Sequence, residues 1–129
     1  MAQLIMEAPS ISPVQWDCYL ASRNGHLLQS WAWGELKSHF GWTPQRLQAD
    51  SAAAQILFRR LPMGQTIAYI PRGPVVDWRA VDQCRALLAA IHAEARRRKA
   101  IFLKIEPFVW AEDPNSLDQP ADQAAALQL

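Results

Sequence analysis

A chain of 129 residues, half of them hydrophobic and with a formal charge of +1, has room for one modest core and no global pull toward nucleic acid or an anionic membrane. Any such binding has to come from a local patch. No stretch is long and apolar enough to span a bilayer, and the opening MAQLIMEAPSISP lacks the basic residue and apolar run of a secretory leader. Cys18 and Cys84 have no metal-ligand neighbours in sequence, which reads as two buried thiols of a soluble, cytoplasmic protein.

Residues 1–14 read as an irregular lead-in interrupted by Pro9 and Pro13. Gln15 to Ser22 is a short helix closed by Arg23-Asn24-Gly25, residues that tolerate the left-handed conformation. His26 to Gln29 is a short apolar link, and Ser30 is the N-cap of a helix over Trp31–Phe40. Trp33, Leu36 and Phe40 fall at i, i+3 and i+7 and predict its buried face; Lys37, one turn after Trp33, flanks that stripe. Such a lysine either lays its stem over a tryptophan with its amine in water or reaches a ligand. Gly41 sits where a helix-ending glycine belongs, and Trp42 is placed to fold back on the last turn. Three of the six tryptophans, Trp31, Trp33 and Trp42, lie in or beside this helix.

Thr43–Ala49, Ala53–Arg60 and Gln65–Ile70 predict three strands, with turns at Asp50-Ser51 and Pro62-Met63-Gly64, hence an antiparallel meander. In the second strand Ile56, Phe58 and Arg60 share one face, and Gln55, Leu57 and Arg59 the other; Arg59-Arg60 reads as a solvated strand end. Pro71-Arg72-Gly73-Pro74 then turns the chain sharply, and Asp77 is positioned to cap a long helix. The turn has a functional reading, with Arg72 and backbone amides offered to an anion at a helix N-terminus. Its two prolines remove amides that a phosphate cradle would use, so by itself it reads as an ordinary connection.

Val81, Cys84, Leu88, Ile91 and Ala95 predict the buried stripe of the long helix, which the Arg96–Lys99 run closes favourably on dipole grounds. Contact with nucleic acid is the sharper reading of that run, and no glycine-rich or aromatic pattern accompanies it. Ile101 to Glu106 alternates, with Ile101, Leu103 and Ile105 on one face and Phe102, Lys104 and Glu106 on the other. Strand, helix and strand make a βαβ unit, so this strand is expected to lie parallel to Thr66–Ile70. Residues 112–119 read as a polar loop, and Pro120 as the start of a further short helix. That helix has no C-cap and the parallel strand has an open edge, so the chain reads as the first part of a longer protein and is expected to expose apolar surface.

No catalytic engine is legible. There is no G-x-S-x-G elbow, Walker loop, paired C-x-x-C or H-E-x-x-H. His92-Ala93-Glu94 matches the H-x-E of zinc deaminases, but the P-C-x-x-C half is missing. No metal, cofactor or catalytic residue is assigned.

Meander, strand, turn, long helix and parallel strand is an order of elements that resembles the GNAT acyltransferase fold, a mixed α/β sheet. PRGPVVDW stands where that fold's acyl-CoA loop, [RQ]-x-x-G-x-[GA], belongs and does not match it. More specific words are LLQSWAWGELKSHFGW at 27–42, ILFRRLPMGQTIAYIPRGPVVDW at 56–78 and AIFLKIEP at 100–107. Together they resemble the FemABX family, aminoacyltransferases that build peptidoglycan interpeptide bridges, over residues 26–107. The resemblance implies two tandem GNAT-like domains, of which residues 1–129 are the opening, incomplete part of the first, inactive on its own. It implies an amino acid taken from aminoacyl-tRNA and attached to the stem-peptide amine of a muramyl-pentapeptide precursor, lipid II or its UDP-linked form, with peripheral contact to the inner membrane face through the lipid-linked substrate. Lys37 stands where the family's early-helix lysine binds the precursor's diphosphate, and Arg72 is a second choice. Trp33, Tyr69, Lys104 and Glu106 are expected to line the groove, Lys104 and Glu106 also reading as a structural strand-face pair. A GNAT-type N-acyltransferase acting on a small amine and a non-catalytic binding module are the alternatives.

Overall fold

The computed structural model describes residues 6–7, 11–49 and 51–108. The expected loop at 112–119 and the helix from Pro120 lie outside these residues. In chain order the elements are β1 (Met6–Glu7), α1 (Pro13–Ser22), a 3-10 turn (Leu27–Gln29), α2 (Trp31–Ser38), β2 (Trp42–Ala49), β3 (Ala52–Arg60), β4 (Thr66–Ile70), α3 (Val81–Arg97) and β5 (Ala100–Ile105). The strands form one mixed sheet in the order β1-β2-β3-β4-β5. β1 to β4 pair antiparallel and β5 runs parallel to β4. The chain thus builds the expected three-strand meander and βαβ unit, with the two-residue β1 added on β2 from the stretch expected to be an irregular lead-in.

Helices cover both faces, and β3 is buried on both from Ala52 to Phe58. On one face Ala54, Ile56 and Phe58 of β3, Ala68 and Ile70 of β4 and Leu47 of β2 pack against Leu87, Ile91 and Ala95 of α3. On the other, Trp16 and Leu20 of α1 pack on Ala53 and Val75. Trp16 is fully buried, and its indole nitrogen donates to Gln29 O at 2.8 Å. A buried Trp with its N–H satisfied contributes its whole apolar area without leaving a polar group unpaired.

Several local expectations are corrected. α1 begins two residues earlier than predicted, because Ser12 and Gln15 form a reciprocal capping box and Pro13 takes the first turn, where its missing N–H costs nothing. Its buried side runs through Trp16 and Leu20, which leaves Cys18 exposed; only Cys84 is a buried thiol. Asp77 does not cap α3. Its carboxylate accepts from Arg79 N at 3.0 Å, and the helix starts at Val81 with no side-chain cap. The α3 stripe is rotated toward Leu87, with Val81 40% exposed. The β4–β5 register shifts between Thr66 and Ile67, which turns Ile101 off the core face while Leu103 and Ile105 keep it. The left-handed Asn24 (φ 53°) and Gly41 (φ 86°) stand where the sequence placed helix-ending residues.

Candidate functional site

The segment Gln29-Ser30-Trp31-Ala32-Trp33-Gly34 sets the position of α2. Gln29 is fully buried and spans three pieces of the chain. Its Nε2 donates to Pro71 O at 2.7 Å and to Gln55 O at 3.3 Å, and its Oε1 accepts from Gln55 N at 2.8 Å. Ser30 caps α2 through Trp33 N. Gly34 lets the helix approach the sheet closely, since a Cβ there would run into Gln55 Oε1 and Arg46 Nη2. Arg46, 7% exposed, stacks 3.6 Å from the Trp31 ring, with its Nε on Gln55 Oε1 at 2.8 Å and its Nη2 on Trp31 O at 3.0 Å and Glu35 at 3.4 Å. Burial pulls its pKa down and the Glu35 charge opposes that shift, so the guanidinium stays charged as a structural pin.

This packing overturns the predicted face of α2. The helix seats on Gly34 and Trp31, because only a glycine lets it lie directly over the Arg46–Gln55 pair. Leu36 and Phe40 therefore turn outward, 47% and 64% exposed. Trp33 stays half-buried beside them, and Lys37 Nζ lies 5.1 Å from its ring centroid. The lysine thus lies over the tryptophan, the blander of its two readings, at the rim of the helix. Trp33 Nε1 is shielded from solvent and has no hydrogen-bond partner among the described residues.

Cross-strand register assembles the rest. Leu57 pairs with Tyr69 and Tyr69 with Lys104, so Tyr69 and Lys104 share the sheet face that α2 covers at Gln55. Lys104 Nζ lies 3.0 Å from Glu106 Oε1 and 5.5 Å from the Tyr69 ring. The Lys104 hydrogen bond, then that from the Tyr69 hydroxyl, holds the Glu106 carboxyl below its ordinary range. Tyr69 is shifted up, by desolvation first and the Glu106 contact second. Both groups feel the charge of Arg72. Tyr69, Lys104 and Glu106 are therefore one cluster with Arg72 at its margin, and Trp33 with Lys37 is a second pair on the helix that shares their side of the sheet.

Two members escaped the sequence reading. Trp42 does not fold back on α2; it opens β2 opposite Arg59, with its ring 6.3 Å from that of Tyr69. Arg59, exposed at the strand end as expected, also lies 5.6 Å from the centroid of the Trp42 ring. Trp42 and Tyr69 thus form a pair of neighbouring rings flanked by a cation on each side, Arg59 over one and Lys104 over the other. The signal was the register, since Trp42 and Arg59 face each other only once β2 and β3 are aligned.

The turn at 71–74 is pinned and does not act as a cradle. Gly73 N donates to Glu106 O at 3.1 Å and Val75 N to Ala53 O at 2.7 Å, so these amides are spent on the fold. Arg72 adopts φ 52° and borders a pocket of about 90 Å³, walled also by Arg23, His26, Trp78 and Phe108. Among the described residues no three His, Cys, Asp or Glu side chains converge as metal ligands, and no helix is long and apolar enough to cross a membrane.

The comparisons with known proteins agree with this architecture. A model of the FemAB family matches residues 11–128. The lipid II:glycine glycyltransferase of Staphylococcus aureus is 35% identical over 111 residues, which cover 81% of this chain and 26% of that protein; its counterpart in strain USA300 matches equally. The crystal structure of FemX superposes with a TM-score of 0.79 at 27% identity, over 97% of this chain and 31% of that one. The chain thus spans about a quarter of the curated relatives it matches.

Proposed function

The chain belongs to the FemAB family, and from that premise we propose that it is the opening part of an aminoacyltransferase of peptidoglycan bridge formation. The donor is an aminoacyl-tRNA, and the acceptor is the stem-peptide amine of a muramyl-pentapeptide precursor, lipid II or its nucleotide-linked form. The acceptor reading is supported by the likeness to a protein named lipid II:glycine glycyltransferase. The neutral amine attacks the carbonyl carbon of the aminoacyl ester; a C–N bond forms, the C–O bond to the ribose breaks, and the tRNA hydroxyl leaves with the proton lost by nitrogen. An ester is activated enough for orientation and charge neutralisation to supply much of the rate, without a protein nucleophile.

Within this reading Lys37 binds the diphosphate and Arg72 is a secondary anion contact. Trp33, Tyr69, Lys104 and Glu106 line the groove between α2 and β5, joined by Trp42 and Arg59. A second-domain partner completes the site, the chain being part of the first of two GNAT-like units. The observation that supports this is the place of Lys37 at the rim of α2, on the sheet side that bears Tyr69 and Lys104, its present contact being the Trp33 ring. A cation–π pair that keeps contact with water, as this half-buried one does, contributes about 1 kcal/mol, so such a lysine turns toward a phosphate at modest cost. A charge-assisted hydrogen bond contributes roughly 1.5–3 kcal/mol, about a 10- to 150-fold change in affinity. Lys37→Ala in the full-length enzyme is expected to raise the dissociation constant for the precursor by that factor, with the melting temperature nearly unchanged. Lys37→Arg is expected to recover part of the loss. Equal precursor affinity of folded wild type and Lys37→Ala would remove the assignment.

A further inference from the structure

One end of the sheet gathers three stretches that are distant in sequence. Trp42 pairs with Arg59 and Arg60 with Thr66, and Thr66 N donates to Lys99 O at 3.2 Å. The α2–β2 junction, the β3–β4 hairpin and the α3–β5 junction therefore stand side by side. Segments 36–42, 59–66 and 95–103 contain no Asp or Glu; they hold Lys37, Arg59, Arg60 and the Arg96–Lys99 run, more than half of the chain's 13 lysines and arginines. Arg97 and Arg98 are paired with Glu94 just before the last segment, which leaves Lys37, Arg59, Arg60, Arg96 and Lys99 as the positive charge gathered at this end of a chain whose net charge is only +1. Arg98 is turned inward, over the Phe58 ring at 4.7 Å and onto Glu94 at 2.8 Å. Arg60, Arg96 and Lys99 are exposed. The same end carries apolar side chains in solvent: Phe40 is 64% exposed, Met63 at the hairpin tip 90% and Ile101 52%.

We propose that this end docks on an anionic lipid bilayer, with Phe40 and Met63 seated at the headgroup–acyl boundary and Arg60, Arg96 and Lys99 among the headgroups. Basic side chains beside protruding large apolar ones are what an interfacial site needs, since the charges supply attraction and the apolar groups supply burial. A nucleic-acid backbone would use the charges but has no place for Met63 at a loop tip or for aliphatic Ile101. Lys37 belongs to the same end, so a diphosphate held there would lie at headgroup depth. That link alone rests on the function proposed above; the docking rests on surface composition.

The test is co-sedimentation of the full-length protein with vesicles of mixed phosphatidylglycerol and phosphatidylcholine, against phosphatidylcholine alone, with no precursor present. Binding is expected only to the anionic vesicles and is expected to weaken as salt rises. It should fall about 5-fold for each of Arg60→Gln, Arg96→Gln and Lys99→Gln, and about 10-fold for Phe40→Ser with Met63→Ser, all with unchanged melting. Equal binding to both vesicle types, or to neither, overturns the proposal. So does binding that survives loss of Phe40 and Met63 and is competed away by tRNA, which would mark a polyanion surface instead. Lys37 is intact in every variant, so failure here leaves the precursor assignment to its own test.

Discussion

Gly34 shows how much one side chain decides. It sits where α2 crosses the Arg46–Gln55 pair, and a Cβ there would overlap both polar heads. Arg46 is held by Trp31, Gln55 and Glu35 and has nowhere to retreat. Overpacking of this kind costs about 1–3 kcal/mol. Gly34→Ala is therefore expected to destabilise the protein by that amount, although alanine is the better helix former by about 1 kcal/mol. Denaturant unfolding that shows Gly34→Ala equal to or more stable than wild type would mean the helix does not seat here. The same logic explains Gln29, whose amide serves Gln55 and Pro71 at once and so ties α2 to the 71–74 turn beside Arg72.

At the scale of elements, α3 ends in an ion cluster that reads differently in sequence and in space. The Arg96–Lys99 run looks like undivided positive charge, yet Arg97 and Arg98 both bind Glu94, with Arg97 Nη2 at 2.6 Å and Arg98 Nε at 2.8 Å. Glu94 is buried, and the Arg97 hydrogen bond, against the cost of burial and with help from Arg98, lowers its carboxyl below the ordinary value of 4.5. A carboxylate with a folded-state pKa below its unfolded one adds stability that is complete above the unfolded value and is lost as pH falls through the folded one. Glu94→Gln is thus expected to lower stability at neutral pH and to flatten the loss of stability below about pH 4.5. A series of denaturant melts from neutral to acid pH checks this. An unchanged acid slope in Glu94→Gln would assign that slope to other carboxylates.

For the whole molecule, the two faces of the sheet are unequal. α3 closes one face, whereas α1 and α2 cover β2 and β3 on the other and leave the Trp42–Tyr69–Lys104 row in the open. Among the described residues β5 has a strand partner on one side only, and it carries Ile101 and Phe102, each 52% exposed. An apolar edge strand pairs readily with another chain. The 129-residue chain by itself is expected to self-associate with concentration in sedimentation velocity, and Phe102→Lys is expected to reduce that association. A compact monomer with a cooperative melt at all concentrations would show that the edge is already covered.

Period and turn chemistry are local properties, and they were legible in the residues alone, as was the Ser30 cap of α2, although the Ser12 cap of α1 was missed and Asp77 does not cap α3. The three-strand meander, α3 and the parallel return of β5 follow from two- and three-to-four-residue spacings and from Pro62-Met63-Gly64 and Pro71-Arg72-Gly73-Pro74. The words at 27–42, 56–78 and 100–107 likewise carried the family. Which face of α2 is buried was not legible, because Trp33, Leu36 and Phe40 make the better apolar stripe and only the depth of the Arg46–Gln55 pair beneath Gly34 selects the other side. The placement of Trp42 against Tyr69 and the turning of Ile101 off the core depended on strand register, which one-residue shifts reverse. Helical and strand periods are set by neighbours along the chain, whereas faces and registers are set by what arrives from far away. For that reason the sequence determined the elements and the family, and the tertiary structure alone decided which side chains meet at the site.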